Sequence, residues 1–213
     1  MFKNNSKIVL ASRSKRRIDF LRMLGIEFEI CVGNVDEDKY RDMIPSKMVE
    51  KLSLEKAKAA LKEYKKEFRK KNGKEKLTED LDIWFIGADT DVSLGDKSLG
   101  KPKNSSDAFR ILKTLEGKTH QVFSAFSLIN EKLRVKEVFL TSSDITFASL
   151  SDDIIKAYIN THECYDKAGA YALQGISSAF ISSVNGSYSS VIGLDMNLLR
   201  EKLLEYGVIE CRG

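Results

Sequence analysis

IVLASRSKRRIDFLRMLG, residues 8–25, is the stretch on which the fold turns. Ile8-Val9-Leu10 is a short apolar run. Ser14 then stands where a helix N-cap belongs, and Ile18, Leu21 and Leu24 recur at helical spacing up to Gly25. The order is strand first, helix second. Arg16 and Arg17 fall in the first helical turn, where the helix dipole disfavours cations. Free backbone N–H groups at a helix start bind anions, and arginine matches phosphate oxygens in bidentate fashion. Two readings stay open on these residues alone. Either the arginines point into water, or they meet a phosphate chain together with the hydroxyls of Ser12 and Ser14.

Outward from this stretch, helical and strand patterns alternate. Residues 47–71 read as a helix ending in a lysine-rich tail near Asn72-Gly73, and WFIGAD, residues 84–89, reads as a buried strand ending in a carboxylate. Gly95-Asp96 is a hairpin signal. Ser105 or Ser106 should cap a helix running through Ala108, Ile111, Leu112 and Leu115 to Gly117. Residues 120–129 and 135–147 alternate like strands, and Ser151-Asp152-Asp153 opens a helix through Ile155 and Tyr158. A strand near 179–184, a turn at Asn185-Gly186 and a helix near 195–206 follow. This mixture predicts an α/β or α+β fold around one mixed sheet.

Composition excludes several classes. With 213 residues, 42% hydrophobic and 31% charged, the chain can bury a sizeable core and is not disordered. No apolar run approaches the roughly 20 residues that span a membrane, and MFKNNSKIVL lacks the apolar region of a secretory signal. Cys31, Cys164 and Cys211 are odd in number and widely spaced, with neither zinc nor disulfide spacing; a reducing, cytoplasmic setting is expected. The net charge of +4 is local: residues 62–76 hold eight Lys or Arg against three Glu, which is +5 and leaves about −1 for the rest. That run carries only Tyr64 and Phe68 as aromatics and matches no nucleic-acid module, which argues against nucleic acid as a partner.

Two further stretches could carry chemistry. In GADTDVSLGDKSLGKPK, residues 87–103, Asp89 at a strand end could hold Mg²⁺, orient a water or simply cap a turn; Asp91 could be the ligand instead. No GxxxxGK[ST] is present, so a P-loop is excluded. In ECYDKAGAYALQG, residues 163–175, Glu163, Asp166 and Lys167 lie beside small residues, and Gln174 has the donors and acceptor that suit a base edge. A purely structural turn fits this segment as well. His120 and His162 have no ligand or triad spacing and read as structural.

Taken together, these stretches resemble the Maf family. LASRSKRRIDFLRMLG is similar to its LAS-x-SPRR opening and GADTDVSLGDKSLGKPK to its GADT…LGKP segment. EGKTHQVFSAFSL is similar to SG-x-TH-x-V; DKAGAYALQG and SVNGSYSSVIGL are similar to DKAGAYGIQG and DGDYSNVVGL. The blocks keep family order from residue 8 to about residue 199, over a single domain, 1–213, in which only 61–82 looks inserted. The resemblance implies two lobes sharing an elongated, twisted mixed sheet around a central cleft, similar to the inosine triphosphatase family. It also implies a nucleoside triphosphate pyrophosphatase that cuts the α–β phosphoanhydride with Mg²⁺ or Mn²⁺, and a dimer by analogy.

Carried over by that resemblance, Ser12, Arg16 and Arg17 belong to the phosphate loop, and Glu37 is a metal-linked carboxylate. Lys56 faces the site from a helix, and Asp89 is the carboxylate that activates water with metal help. Asp166 and Lys167 form the cleft pair, while Lys101 and Gln174 match the branch acting on dTTP and UTP. A different base (7-methyl-GTP or an inosine-type purine) and a non-catalytic role in cell division are the alternatives. Lys15 stands where the family pattern has proline and adds a cation near the expected phosphates. Ala172 replaces a glycine, and Cys164-Tyr165 replaces Pro-x, beside the expected base pocket.

Overall fold

The computed structural model describes residues 1–72 and 82–212. Strand β1 (Phe2–Asn4) leads into β2 (Lys7–Leu10) and helix α1 (Lys15–Met23), followed by β3 (Glu29–Ile30). Helix α2 (Pro45–Asn72) precedes β4 (Ile83–Leu94), the short β5 (Lys97–Ser98), α3 (Ser105–Leu115) and the pair β6 (Thr119–Asn130) and β7 (Val135–Phe147). Helix α4 (Asp152–Ile159), β8 (Ile181–Asn185), α5 (Tyr188–Ile192), α6 (Met196–Glu205) and β9 (Ile209–Cys211) complete the chain.

Among the described residues one sheet runs β3-β2-β4-β6-β7-β8, with β5 beside β4, and β1 pairs with β9 in a second, two-stranded sheet. The β3, β2 and β4 ladders are parallel and the rest of the main sheet is antiparallel, so the predicted mixed sheet is the one observed. Parallel neighbours need crossovers, and α1 and α2 supply them.

Both faces of the sheet are covered, which is why Ile8-Val9-Leu10 is apolar throughout instead of alternating. On one face Ile8, Leu10, Ile86 and Ala88 pack with Phe20 and Leu21 of α1 and Leu199 and Leu203 of α6. On the other, Val9, Phe85 and Ile129 pack with Ala57 and Ala60 of α2. A separate core further along β4 and β6 joins Val92 and Val122 to Ile111 and Leu115 of α3 and Ile155 and Tyr158 of α4. The long strands thus thread two lobes. Burying one such Leu or Ile contributes about 1.5–3 kcal/mol, so each lobe has its own source of stability.

Two expectations need correction. β4 does not end at Asp89 but continues to Leu94, because β6 pairs it residue for residue from Phe85 to Ser93. What ends near there is its parallel neighbour β2, whose last partner on β4 is Ile86. The N-cap of α3 is Asn104, whose side chain accepts from the Asp107 N–H, and not Ser105 or Ser106. Ser14 occupies the N-cap position of α1 with extended backbone but makes no side-chain cap bond. Of the segment read as inserted, residues 61–72 continue α2, and 73–81 lie outside the described residues.

Candidate active site

The strip of β4 between the two cores is polar: Asp89, Thr90 and Asp91. Alternation along the strand sends Asp89 and Asp91 toward the α2 face and Thr90 to the opposite one. Gly87 makes the α2 side work. A Cβ there would lie 2.0 Å from the Ser53 carbonyl oxygen, so only glycine lets α2 come this close to the strand. One helical turn beyond Ser53 is Lys56, and its Nζ donates to Asp89 Oδ1 at 2.6 Å and lies 2.8 Å from Glu37 Oε1. One buried carboxylate, one mostly buried ammonium and one exposed carboxylate are thereby held in line.

On the other face, Arg17 is clamped three ways. Its Nε donates to the Gly193 carbonyl at 2.8 Å, Nη2 to Thr90 Oγ1 at 3.1 Å and Nη1 to Ser12 Oγ at 3.4 Å. None of these partners is a carboxylate. Ser12 also accepts the Ser14 N–H at 3.2 Å, shaping the loop that leads into α1. α1 has no acidic residue in its first turn and no side-chain cap, so neither offsets its N-terminal positive end.

Both faces open into one cleft of about 660 Å³. It gathers Ser14, Arg16, Arg17, Glu37, Lys56, Asp89, Lys101, Asp166, Lys167 and Gln174. Ser12 alone among the expected residues does not line it; the hydroxyl is buried beneath, bracing Arg17. Seven cationic side chains line the cleft against five acidic ones, leaving an excess of two positive charges. Lys15 is exposed and lies outside the lining, so the cation that replaces proline is not added to the cleft. Ala172 does line it, whereas Cys164 is buried in the α3–α4 core.

Electrostatics follow burial. Burial pushes the Asp89 carboxyl above its ordinary range, opposed by the charges of Lys56 and Arg17. Burial also pushes Asp91 up, to about 6, although Ser98 Oγ donates to its Oδ1 at 2.6 Å. Its Oδ2 has no hydrogen-bond partner. Arg17 is pulled below the ordinary arginine value by burial, with Asp89 pushing back. The expected structural histidine behaves as such: His120 is fully buried, bonds the Tyr171 hydroxyl at 2.7 Å and is driven down to about 4 by burial, hence neutral.

Whether these residues suit a divalent cation is a question of donor type. Asp89, Asp91 and Glu37 offer only carboxylate oxygen, the donor Mg²⁺ and Mn²⁺ prefer. No group of three or more metal-ligating side chains is preassembled among the described residues, and Lys56 already bridges two of the carboxylates. Mg²⁺ commonly uses one or two carboxylates and takes its remaining ligands from substrate phosphates and water, so this donor set fits.

Thr90, which ties Arg17 to Ser124 and Gly193, was not singled out from sequence, nor were Arg41 and Lys103, which add cations to the rim. Thr90 has a signal in GADT, but its strand neighbours Asp89 and Asp91 point to the other face. No helix among the described residues is long and apolar enough to cross a membrane.

Residues 7–206 match the family described as Maf-like protein. A dTTP/UTP pyrophosphatase of Desulfotalea psychrophila is 38% identical over 209 residues, covering 98% of this chain and 99% of the relative. Another, of Desulforamulus reducens, is 40% identical over 201 residues, covering 94% and 97%. Among solved structures, a HAM1 protein from Coxiella burnetii aligns with a TM-score of 0.47 at 14% identity, covering 94% of this chain and 99% of that one.

Proposed function

The chain belongs to the Maf-like family, and on that footing we propose that it hydrolyses dTTP and UTP to the monophosphate and pyrophosphate. The observation that carries the proposal is Arg17. A half-buried guanidinium, hydrogen-bonded only to neutral oxygens, faces the same cleft as the Asp89–Lys56–Glu37 line. The excess of cationic over acidic side chains in the cleft suits a multiply charged anion such as a triphosphate.

In this mechanism Arg16, Arg17 and Lys101 hold the phosphates and neutralise charge that builds on the pyrophosphate leaving group. Asp89 orients a water toward the α-phosphorus and accepts its proton. The new P–O bond forms as the α–β bridging oxygen departs with the β-phosphorus. Lys56 favours the ionised form of Asp89 against the effect of burial and fixes its direction. Asp89 and Glu37 would hold Mg²⁺ or Mn²⁺ with the substrate phosphates, and the ion supplies further charge neutralisation. Asp166 and Lys167 line the sugar and phosphate side, and Gln174 offers its amide to the base. This chemistry suits removal of surplus or modified pyrimidine nucleotides by a single-domain cytoplasmic enzyme, with a homodimer as the assembly the family resemblance implies.

Pyrophosphate release from dTTP, UTP, CTP, 7-methyl-GTP and ITP with Mg²⁺ or Mn²⁺ tests the proposal. dTTP and UTP should lead. A purine in the lead would keep the phosphate site and discard the role of Gln174. No turnover by folded protein would refute the hydrolase and favour a non-catalytic nucleotide-binding role.

A further inference from the structure

Gln174 is exposed and its side chain has no hydrogen-bond partner among the described residues, so its place depends on the backbone that carries it. That backbone is not a helix or strand. Residue 175 sits at φ 105° and ψ −163°, a conformation open essentially to glycine alone. It persists only where neighbours hold it. Two side chains do so. Ser177 Oγ, fully buried, accepts the Ala172 N–H at 2.9 Å and lies 3.1 Å from the Ala172 carbonyl oxygen. Glu163 reaches across from beyond α4: its Oε2 accepts the Ile176 N–H at 3.1 Å, and its Oε1 lies 3.3 Å from Ser177 Oγ. The carboxylate lies flat against residue 175, where a Cβ would come within 2.6 Å of Oε1.

The same residue also works through its backbone. The Glu163 carbonyl accepts Lys167 Nζ, which in turn reaches Asp166 Oδ1 at 2.7 Å. Thr161 Oγ1 accepts the Glu163 N–H at 3.3 Å and donates to the Tyr158 carbonyl at 2.7 Å, tying residue 163 to the end of α4 and the buried core. Gln174 and Lys167, on opposite flanks of the segment, therefore both hang from one residue.

We infer that Glu163 is a positioning residue for nucleotide selection: its carboxylate clips the 172–177 loop so that Gln174 meets the base. The inference rests on the proposed role of Gln174. It assigns Glu163 no contact with substrate, so its loss acts on binding and discrimination before chemistry.

Three proteins decide it: the parent, Glu163→Ala and Glu163→Gln. In Glu163→Ala, hydrogen exchange across 172–178 should quicken about tenfold as the clip bonds are lost. KM for dTTP should rise about tenfold and discrimination against CTP should fall, with kcat within about twofold. Glu163→Gln keeps an acceptor for the Ile176 N–H and should recover most of both losses. Unchanged exchange, or quickened exchange with unchanged KM and discrimination, would overturn the inference. So would a fall in kcat and melting temperature together that Glu163→Gln does not rescue, which would mark a general structural role. A parent protein inert toward every nucleotide would defeat the proposed hydrolase instead, and exchange alone would still decide whether Glu163 clips the loop.

Discussion

The two ends of the cleft are built differently. At the phosphate end, Arg17, Lys56 and Asp89 stand on α1, α2 and β4, and each has a partner on another regular element. At the other end Gln174 sits exposed on an irregular loop held by Glu163 and Ser177. Transition-state charge is best met by groups that need no rearrangement, and buried strands and helices provide them. Recognition of one base among several is set by fewer and weaker contacts, and a loop can carry those. In the proposed enzyme, reaction type is therefore written into the sheet and base preference into the loop.

The sharpest way to break this contrast is at the sheet. Asp89→Asn should lower kcat by about 10²–10⁴, the usual worth of a positioned general base, with KM for dTTP changed far less. Turnover at the parental rate would remove Asp89 from the chemistry. Arg17→Ala should lower kcat/KM by about a hundredfold, split between a higher KM and a lower kcat, because phosphate contacts tighten as the leaving group forms. It would also leave the Gly193 carbonyl without its 2.8 Å donor, so melting curves should accompany the kinetics. An effect on KM alone, the one expected of Glu163→Ala at the other end, would mean the two ends are not so different.

Much of this was legible in the chain, and what was not has physical reasons. Strand-then-helix at 8–25, the hairpin at Gly95-Asp96 and the alternation of β6 and β7 follow from local pattern. The length of β4 does not, because three polar residues in mid-strand look like a strand end. They are tolerated there because they line the cleft, and local rules fail most often at such places. The α3 cap lies one or two positions earlier than expected, in a run of Asn104-Ser105-Ser106, three residues that can all cap. The β1–β9 pairing joins Phe2 to Cys211, a contact no local pattern can announce. Most of the expected site residues share the cleft, but the support beneath them was hidden. Ser12 and Thr90 brace Arg17 from positions whose neighbours in sequence face elsewhere.

The smallest effect lies in stability, and it separates two carboxylates of the same cleft. Asp166 is exposed and held below its ordinary pKa by Lys167; Asp91 is buried and pushed up to about 6. The signs are opposite. A folded-state pKa above the unfolded one means the folded chain holds the proton more tightly, so ionised Asp91 weakens the fold. That penalty is absent well below pH 4, grows as pH rises toward 6 and is full above it, on the order of 3 kcal/mol for a shift of about two units. Asp91→Asn keeps an acceptor for Ser98 and removes the charge. In metal-free buffer it should raise the melting temperature by up to about 6–12 °C at pH 8, with roughly half that gain left at pH 5. Asp166→Asn should show no such gain at any pH. Equal melting of Asp91→Asn and the parent at pH 8 would mean that Asp91 is not a strained charge at the catalytic end, and that burial costs the two ends of the cleft alike.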